Sequence, residues 1–213
     1  PRKIFLDPGH GGKDLGGRGR SGLTEKAVTL EVAKYLKDIL EMQSGIEVFL
    51  TRSGDYYLSL AERIALANNK KAALFISLHT GAAFNPNRQG LNIFYLNTLN
   101  TAVADIEPPG QTPTNNLLSW LKGNEKFIPA SQRLAQILMG TLNKAFSMPA
   151  SASKVLGGPW AILIGAQMPA VIVEMGHLTT PIEENKLMDK IYRQAIAEAL
   201  SGGIEEYYRN EPY

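Results

Sequence analysis

The three histidines of the chain share one sequence context, because each stands just past the end of a short apolar run. They are His10, His79 and His177, and the runs before them are typical of strands buried on both faces, as in a parallel sheet. In such sheets, ligands bind outside the carboxyl ends of the strands. Histidine is also the commonest protein ligand of metals. The placement therefore predicts one site, built at one edge of one sheet around a metal ion.

Two glutamates are predicted to lie at the same edge. Glu25 falls in the first turn of a helix that Thr24 is expected to cap, on the same face as Val28 and Val32. Such a carboxylate can simply complement the helix dipole. However, the loop before it arises at the end of the first strand, beside His10. Two imidazoles and one carboxylate with an open fourth position make a catalytic zinc site.

The second glutamate, Glu174, ends an otherwise apolar run, where an unpaired carboxylate is costly. One interpretation is a buried ion pair with Arg52 or Arg63. The other is a general base that deprotonates a metal-bound water and passes the proton to the leaving group. His177 is ambiguous between a third imidazole ligand, a substrate contact and a partly buried histidine.

The predicted elements alternate between strands and helices, which indicates a layered α/β fold. A serine or threonine followed three residues later by glutamate predicts capping boxes at Ser59 and Thr180. A Gly-Gly-Pro turn is expected at 157–159. The helices are predicted at 24–42, 59–69, 131–146 and 187–208. The strands are predicted at 3–9, 46–51, 74–78 and 91–96, and a last strand is expected to end at 174.

Composition excludes several classes of function. The net charge of the 213 residues is +2, which is too small to argue for nucleic acid or an anionic membrane. No apolar stretch approaches the ~20 residues that span a bilayer. The absence of cysteine excludes a thiol nucleophile, thiolate metal ligands and disulfides. Because the chain enters a strand almost at Pro1, we expect a domain of a longer protein, with any signal peptide ahead of it.

A series of motifs in order along the chain resembles the zinc-dependent N-acetylmuramoyl-L-alanine amidases, the type 3 cell-wall amidases. The motifs are Leu6-Asp7-Pro8-Gly9-His10-Gly11-Gly12, Gly22-Leu23-Thr24-Glu25-Lys26, residues 50–68, Ile76-Ser77-Leu78-His79 and residues 168–176. The resemblance implies a single catalytic domain over residues 1–213, folded as a three-layer α/β/α sandwich with a twisted, mostly parallel mixed sheet. It also implies hydrolysis of the amide bond between N-acetylmuramic acid and L-alanine in peptidoglycan.

The resemblance implies a Zn²⁺ ion held by three ligands and one catalytic acid/base, which are His10, Glu25 and His79, and Glu174. Two positions depart from the family pattern and are expected to alter the walls of the cleft. Thr80-Gly81 stand where a small residue and asparagine are usual, and His177 replaces an aromatic residue. In the loop leading to the site, Lys13, Arg18 and Arg20 either face solvent or meet carboxylates of the stem peptide.

The resemblance further implies a peptidoglycan substrate, export to the periplasm or cell wall, and a part in cell division. Residues 97–129 are rich in proline and lack periodicity, so they form either a plain surface loop or a regulatory insertion. In related cell-division amidases, a segment at this place covers the zinc cleft until a protein activator relieves the autoinhibition. In the covered state, Glu107 or Glu125 would reach the open position of the metal.

The residues alone leave three other hypotheses open. His10, His79 and His177 can form a three-histidine zinc site in which Glu25 is only structural. A non-catalytic cell-wall binding module would keep the fold without the reaction. A glycosidase would use Glu25 and Glu174 as its carboxylate pair and need no metal, which leaves the placement of the histidines unexplained.

Overall fold

The computed structural model describes residues 1–81, 89–97, 124–148 and 152–210. The strands within these ranges are β1 (Arg2–Pro8), β2 (Ile46–Leu50), β3 (Leu74–Gly81), β4 (Asn92–Leu96), β5 (Lys154–Gly158) and β6 (Ala170–His177). The helices are α1 (Glu25–Glu41), α2 (Leu60–Asn69), α3 (Ile128–Phe146), α4 (Pro181–Met188) and α5 (Lys190–Arg209). Short 3₁₀ helices lie at Glu125–Phe127 and Ala161–Leu163.

The strands form one sheet in the order β2-β1-β3-β6-β4-β5. Strands β2, β1, β3 and β6 are mutually parallel, whereas β4 pairs antiparallel with β6 and parallel with β5. The carboxyl ends of β1, β3 and β6 therefore meet at one edge. Helices α1, α3 and α5 cover one face of the sheet, and α2 with the second 3₁₀ helix covers the other. The expected α/β/α sandwich with a mostly parallel mixed sheet is confirmed.

Alternate residues of the central strands supply two separate cores. Ile4 and Leu6 of β1 pack under α1, while Phe5 between them packs with Ile64 of α2 on the opposite face. This alternation is what a strand covered on both faces requires. The apolar stripe of α1 packs in the first core, and its members are Val28, Val32, Tyr35, Leu36 and Ile39.

Local signals at the helix and strand ends are confirmed in part. The capping box at Ser59 is present in full. The expected Gly-Gly-Pro turn is wrong, because residues 157–158 continue β5 beside β4, and glycine is depleted in strands. The capping box at Thr180 is also wrong, since this side chain makes no cap hydrogen bond. Its partner Glu183 accepts instead from the backbone N–H groups of Gly90 at 3.3 Å and His177 at 2.9 Å.

Two helix boundaries differ from the expectation. Helix α3 begins at Ile128 rather than 131, with Pro129 in its first turn, where proline is tolerated. The C-terminal helical region is divided at Asp189, whose side chain accepts from Ile191 N at 2.8 Å and caps α5. Residues 98–123 lie outside the described ranges, so the regulatory insertion, with Glu107, stays a prediction. Within those ranges, no helix is both long and apolar enough to cross a bilayer.

A buried ion pair anchors the end of β1. Asp7 is fully buried and accepts hydrogen bonds from Thr51 Oγ1 at 2.6 Å, Arg63 at 2.8 Å and Ser77 Oγ at 2.7 Å. Arg63 also donates to the carbonyl oxygen of His10 at 2.8 Å. Buried charges and carbonyl groups are costly without such partners. The network therefore determines the path of the chain from β1 into His10.

A second buried arginine, Arg52, secures the residues around this turn. It donates to the carbonyl oxygens of Pro8 at 2.9 Å, Gly9 at 2.7 Å and Lys26 at 2.9 Å. Thr29 Oγ1 also donates to the Gly9 carbonyl, at 3.0 Å. Because Lys26 and Thr29 belong to α1, these bonds join the end of β1 to the start of that helix.

We expect the Arg63→Met variant to lose about 3–5 kcal/mol of unfolding free energy, because Asp7 would remain as an uncompensated buried charge. Glu41→Gln is the control, since it breaks a surface pair with Lys37 that is worth at most about 1 kcal/mol. Urea denaturation measures both losses. Similar losses in the two variants would show that the Asp7–Arg63 pair does not stabilise this edge of the sheet.

Candidate metal centre

His10 lies in the turn after β1 with a left-handed backbone, at φ 61°. This conformation costs a residue other than glycine about 1 kcal/mol or more, and the hydrogen bond from Arg63 holds it in place. Its Nδ1 lies 2.8 Å from Asp14 Oδ2, and its Nε2 lies 3.2 Å from Glu25 Oε1. The ring is therefore oriented at both nitrogens, with Nε2 facing the other predicted ligands.

Glu25 is buried in the first turn of α1, with 4% of its surface exposed. Its carboxylate accepts from the backbone N–H groups of Gly17 at 2.7 Å and Thr80 at 2.8 Å. The close approach of the loop requires glycine at position 16, where φ is 65°. A Cβ on Gly16 would stand 2.7 Å from Glu25 Oε2 and 2.5 Å from the ring of His10.

His79 joins the group from β3. Its Nδ1 lies 3.0 Å from Glu25 Oε1. Its ring meets that of His10 edge-on, with ring centroids 5.0 Å apart and planes at 81°. Gly9 lies directly beneath it, and a Cβ there would stand 2.7 Å from both of its ring nitrogens. The glycine that follows β1 is therefore required by the imidazole on β3.

The electrostatics of the group favour an ionised carboxylate. Burial alone would raise the pKa of Glu25, but the hydrogen bonds from His10 and His79 outweigh burial and hold this pKa well below its usual range. Burial likewise acts to lower the pKa of His10, whereas the Glu25 and Asp14 carboxylates raise it above its ordinary value. A cation that takes the place of protons in this group would meet a carboxylate already in its charged form.

The donor set and its spacing fit a zinc ion. One ligand atom from each of His10, Glu25 and His79 lies within 4.8 Å of the other two, and tetrahedral zinc with bonds of ~2.0–2.2 Å places its ligand atoms about 3.3 Å apart. Two imidazoles and a carboxylate suit zinc better than calcium or magnesium. Asp14, on the far nitrogen of His10, is the outer partner that metal-bound histidines usually have. In the described part of the chain this is the one group that meets these distances.

Glu174 faces the same site from the neighbouring strand. It is the register partner of His79, and it lies inside β6 rather than at the end of the strand, which corrects the sequence expectation. It is half-buried, and its Oε2 accepts from Nδ2 of Asn92 at 2.9 Å. The alternative of an ion pair with Arg52 or Arg63 is wrong, because both guanidinium groups are engaged around the end of β1.

A cavity of about 350 Å³ brings these groups together. Its polar lining consists of His10, Glu25, His79, Thr80 and Glu174. Its apolar wall consists of Leu60, Phe94, Trp160, Ala161, Ile162 and Ile172. The rings of Phe94 and Trp160 pack with centroids 4.3 Å apart. The three candidate ligands His10, Glu25 and His79 are together called the metal group. A metal group with a further carboxylate beside it, in a partly apolar cleft, is an arrangement suited to hydrolysis.

The remaining histidine, His177, does not belong to the metal group. It is buried at the end of β6, and its Nδ1 lies so close to Gly81 that a Cβ on that residue would collide with it. Its backbone N–H donates to Glu183 at 2.9 Å. The two departures from the expected family pattern, Gly81 and His177, therefore meet at one contact, where the glycine makes room for the imidazole.

Among the described residues, the other charged side chains considered in the sequence lie outside the cavity lining, namely Lys13, Arg18, Arg20 and Glu125. Lys13 stands 5.8 Å from the ring centroid of Tyr57, and the backbone N–H of Arg20 donates to Glu184 at 2.9 Å. Glu125 is exposed on its 3₁₀ helix and is not in the metal group. Recognition of stem-peptide carboxylates by the basic loop stays a prediction.

Three residues of the site escape the sequence reasoning, namely Asp14, Asn92 and Trp160. Asp14 has a usable signal, since it stands four residues after His10 in a loop bent by glycines. Asn92 has none, because its contact with Glu174 depends on the pairing of two strands that are remote in sequence. The sequence around Trp160 is typical of a strand or of the core. The structure shows instead that Trp160 packs beside Phe94 and lines the cavity.

Known proteins are similar to this chain along nearly its whole length. Residues 4–206 match the family model described as N-acetylmuramoyl-L-alanine amidase. The amidase AmiA of Escherichia coli K12 is 30% identical, over 97% of this chain and 76% of its own. AmiC of Escherichia coli O6:H1 is 27% identical over 98% of this chain and 53% of its own, so the chain spans about half of that relative. The crystal structure of an N-acetylmuramoyl-L-alanine amidase from Clostridium difficile 630 has a TM-score of 0.79 and 30% identity, covering 99% of this chain and 98% of that one.

Fold and cavity thus define an α/β protein with a candidate metal centre at the carboxyl ends of its parallel strands. The chain belongs to the N-acetylmuramoyl-L-alanine amidase family, since the family model covers most of its length. The resemblance found in the sequence motifs is confirmed.

We expect Asp14→Asn to weaken zinc binding about 10- to 100-fold, as loss of the outer partner of a metal-bound histidine usually does. Asp55→Asn is the matched control, because Asp55 accepts from Lys26 and Gly12 and touches none of the three ligands. Competition with a chromophoric chelator at about pH 8, where histidine is ordinarily neutral, measures both affinities. Equal zinc affinity in the two variants would remove Asp14 from the site.

Proposed function

We propose that the protein hydrolyses the amide bond between N-acetylmuramic acid and the L-alanine of peptidoglycan stem peptides, with Zn²⁺ as cofactor. The observation that carries the proposal is the placement of His10, Glu25 and His79 in one cavity with the carboxylate of Glu174. Membership of the amidase family supports the choice of bond and of polymer. Because the chain spans only about half of AmiC, the activity of the whole protein belongs to the same proposal.

The three candidate ligands, His10, Glu25 and His79, would hold the metal through two imidazoles and one carboxylate. Zinc, when bound, supplies a water with a pKa near 7 and a Lewis acid for the scissile carbonyl. His10 and His79 would hold the ion as neutral imidazoles and Glu25 would hold it as a carboxylate. Asp14 holds the His10 ring in the orientation that presents Nε2.

Glu174 moves the proton. Its carboxylate accepts a proton from the attacking water and then donates it to the amide nitrogen of the departing L-alanine. The products are a free carboxyl group on the muramic acid and a stem peptide with a free amino group. Glu174 lines the cavity and is not one of the three grouped ligands, so it is available for this transfer.

The glycosidase hypothesis has less support. A glycosidase carboxylate pair works without a metal, which leaves the contacts of Glu25 with the imidazoles of His10 and His79 unexplained. A non-catalytic cell-wall binding module is the second candidate, because it would share the whole fold.

Other parts of the proposal follow from the substrate. Peptidoglycan lies outside the cytoplasm, so we expect export to the periplasm or cell wall. A single catalytic domain over residues 1–213, a part in cell division, and a protein activator that displaces residues 97–129 all stay predictions.

Digestion of purified peptidoglycan tests the function. We expect mass spectrometry to find stem peptides that begin at L-alanine, lost on addition of a chelator and restored by zinc. The Glu174→Ala variant should lower turnover about 100-fold or more while its zinc content stays normal, because Glu174 is not in the metal group. Near-normal turnover in that variant would exclude Glu174 as the proton carrier. No release by the zinc-loaded parent protein would favour either the binding module or an enzyme autoinhibited by residues 97–129. Deletion of those residues should restore release only in the second case.

The zinc content of two variants tests the ligand set. Glu25→Ala should lose most of its zinc after dialysis, because it removes the group that both imidazoles contact. His177→Ala should keep its zinc, since His177 lies outside the metal group. Inductively coupled plasma mass spectrometry gives the zinc-to-protein ratio. The reverse result would support the three-histidine site.

A further inference from the structure

Glu174 belongs to a row of three side chains that crosses the sheet. The strand registers pair His79 of β3 with Glu174 of β6, and Glu174 with Asn92 of β4. Side chains paired across neighbouring strands stand on the same face of a sheet. The proposed proton carrier therefore has a candidate metal ligand on one side and a neutral amide on the other.

The amide of Asn92 is well placed to orient this carboxylate. Asn92 is buried, with 5% of its surface exposed, and its Nδ2 donates to Oε2 of Glu174 at 2.9 Å. A hydrogen bond to an ionised group is stronger than one between neutral groups and restrains the rotation of the carboxyl plane. Among the described residues, Asn92 supplies the hydrogen bond that Glu174 accepts.

Position 81 of β3 has no room for a second donor side chain. A Cβ on Gly81 would stand 3.2 Å from Oε2 of Glu174 and would collide with His177. An amide also differs from the buried arginines in being neutral. An adjacent guanidinium would stabilise the charged carboxylate and weaken its tendency to accept a proton. Asn92 can restrain Glu174 without that penalty.

We propose that Asn92 is a positioning residue for proton transfer by Glu174. By holding Oε2, it directs Oε1 toward the attacking water and the amide nitrogen of the substrate. The inference rests on the proposed function and concerns the same site. Among the described residues, the hydrogen bonds of His10, Glu25 and His79 go to partners other than Asn92, so its removal should change the rate of turnover and leave the zinc in place.

Two variants of nearly the same shape test this role with a soluble muramyl peptide as substrate. Asn92→Leu removes the donor, and Asn92→Asp replaces it with a second carboxylate. Both should lower kcat about 10- to 100-fold, with KM and zinc content close to those of the parent protein. Ile93→Val is the matched control, because Ile93 is the next residue of β4 and lies in the core on the opposite face. It should keep the parent kcat.

An unchanged kcat in both Asn92 variants would overturn the proposal, as would a loss that falls on KM or on zinc content. Thermal unfolding identifies a variant that has lost its fold. If one Asn92 variant is unfolded, the kcat of the other variant tests the positioning role. If Asn92 acts through Glu174, adding Asn92→Leu to Glu174→Ala should lower the residual rate no further. A further fall would give Asn92 another role. High activity in Glu174→Ala alone would instead contradict the proposed function.

Discussion

The buried carboxylate of Glu25 is the constraint around which the site is organised. A charge with so little exposure needs donors, and it obtains them from two imidazoles and two backbone N–H groups. These donors come from the glycine loop after β1 and from the end of β3, which are remote in sequence. The convergence that satisfies the carboxylate also produces the cation site. This packing requires glycine at positions 9 and 16, because neither position has room for a Cβ.

Two buried arginines, Arg52 and Arg63, stabilise the backbone that brings these groups together. Their guanidinium groups bind carbonyl oxygens at the end of β1 and hold the left-handed backbone of His10. Because both arginines are engaged there, Glu174 has no ion-pair partner among the described residues and instead meets the neutral amide of Asn92. The charges that hold the fold are thus kept apart from the carboxylate that is proposed to move a proton.

Much of the fold and the grouped ligands can be predicted from the sequence, for a physical reason. His10 and His79 follow buried strands, parallel strands end at one edge, and Glu25 begins the helix beside them. Contacts set by register cannot be predicted in this way. Asn92 reaches Glu174 only because β4 pairs antiparallel with β6. Strand β5 is hard to predict because it ends in two glycines, which are depleted in strands. The capping box expected at Thr180 is absent because Glu183 accepts from Gly90 and His177 instead.

X-ray absorption at the zinc edge of the zinc-loaded protein would test the ligand set most directly. We expect two imidazole nitrogens and one carboxylate oxygen at ~2.0–2.2 Å, with an exchangeable light atom in the fourth position. That result would agree with an ion held by His10, Glu25 and His79, beside the carboxylate of Glu174. Three imidazoles in the zinc shell would mean that His177 is a ligand and that the buried Glu25 is only structural.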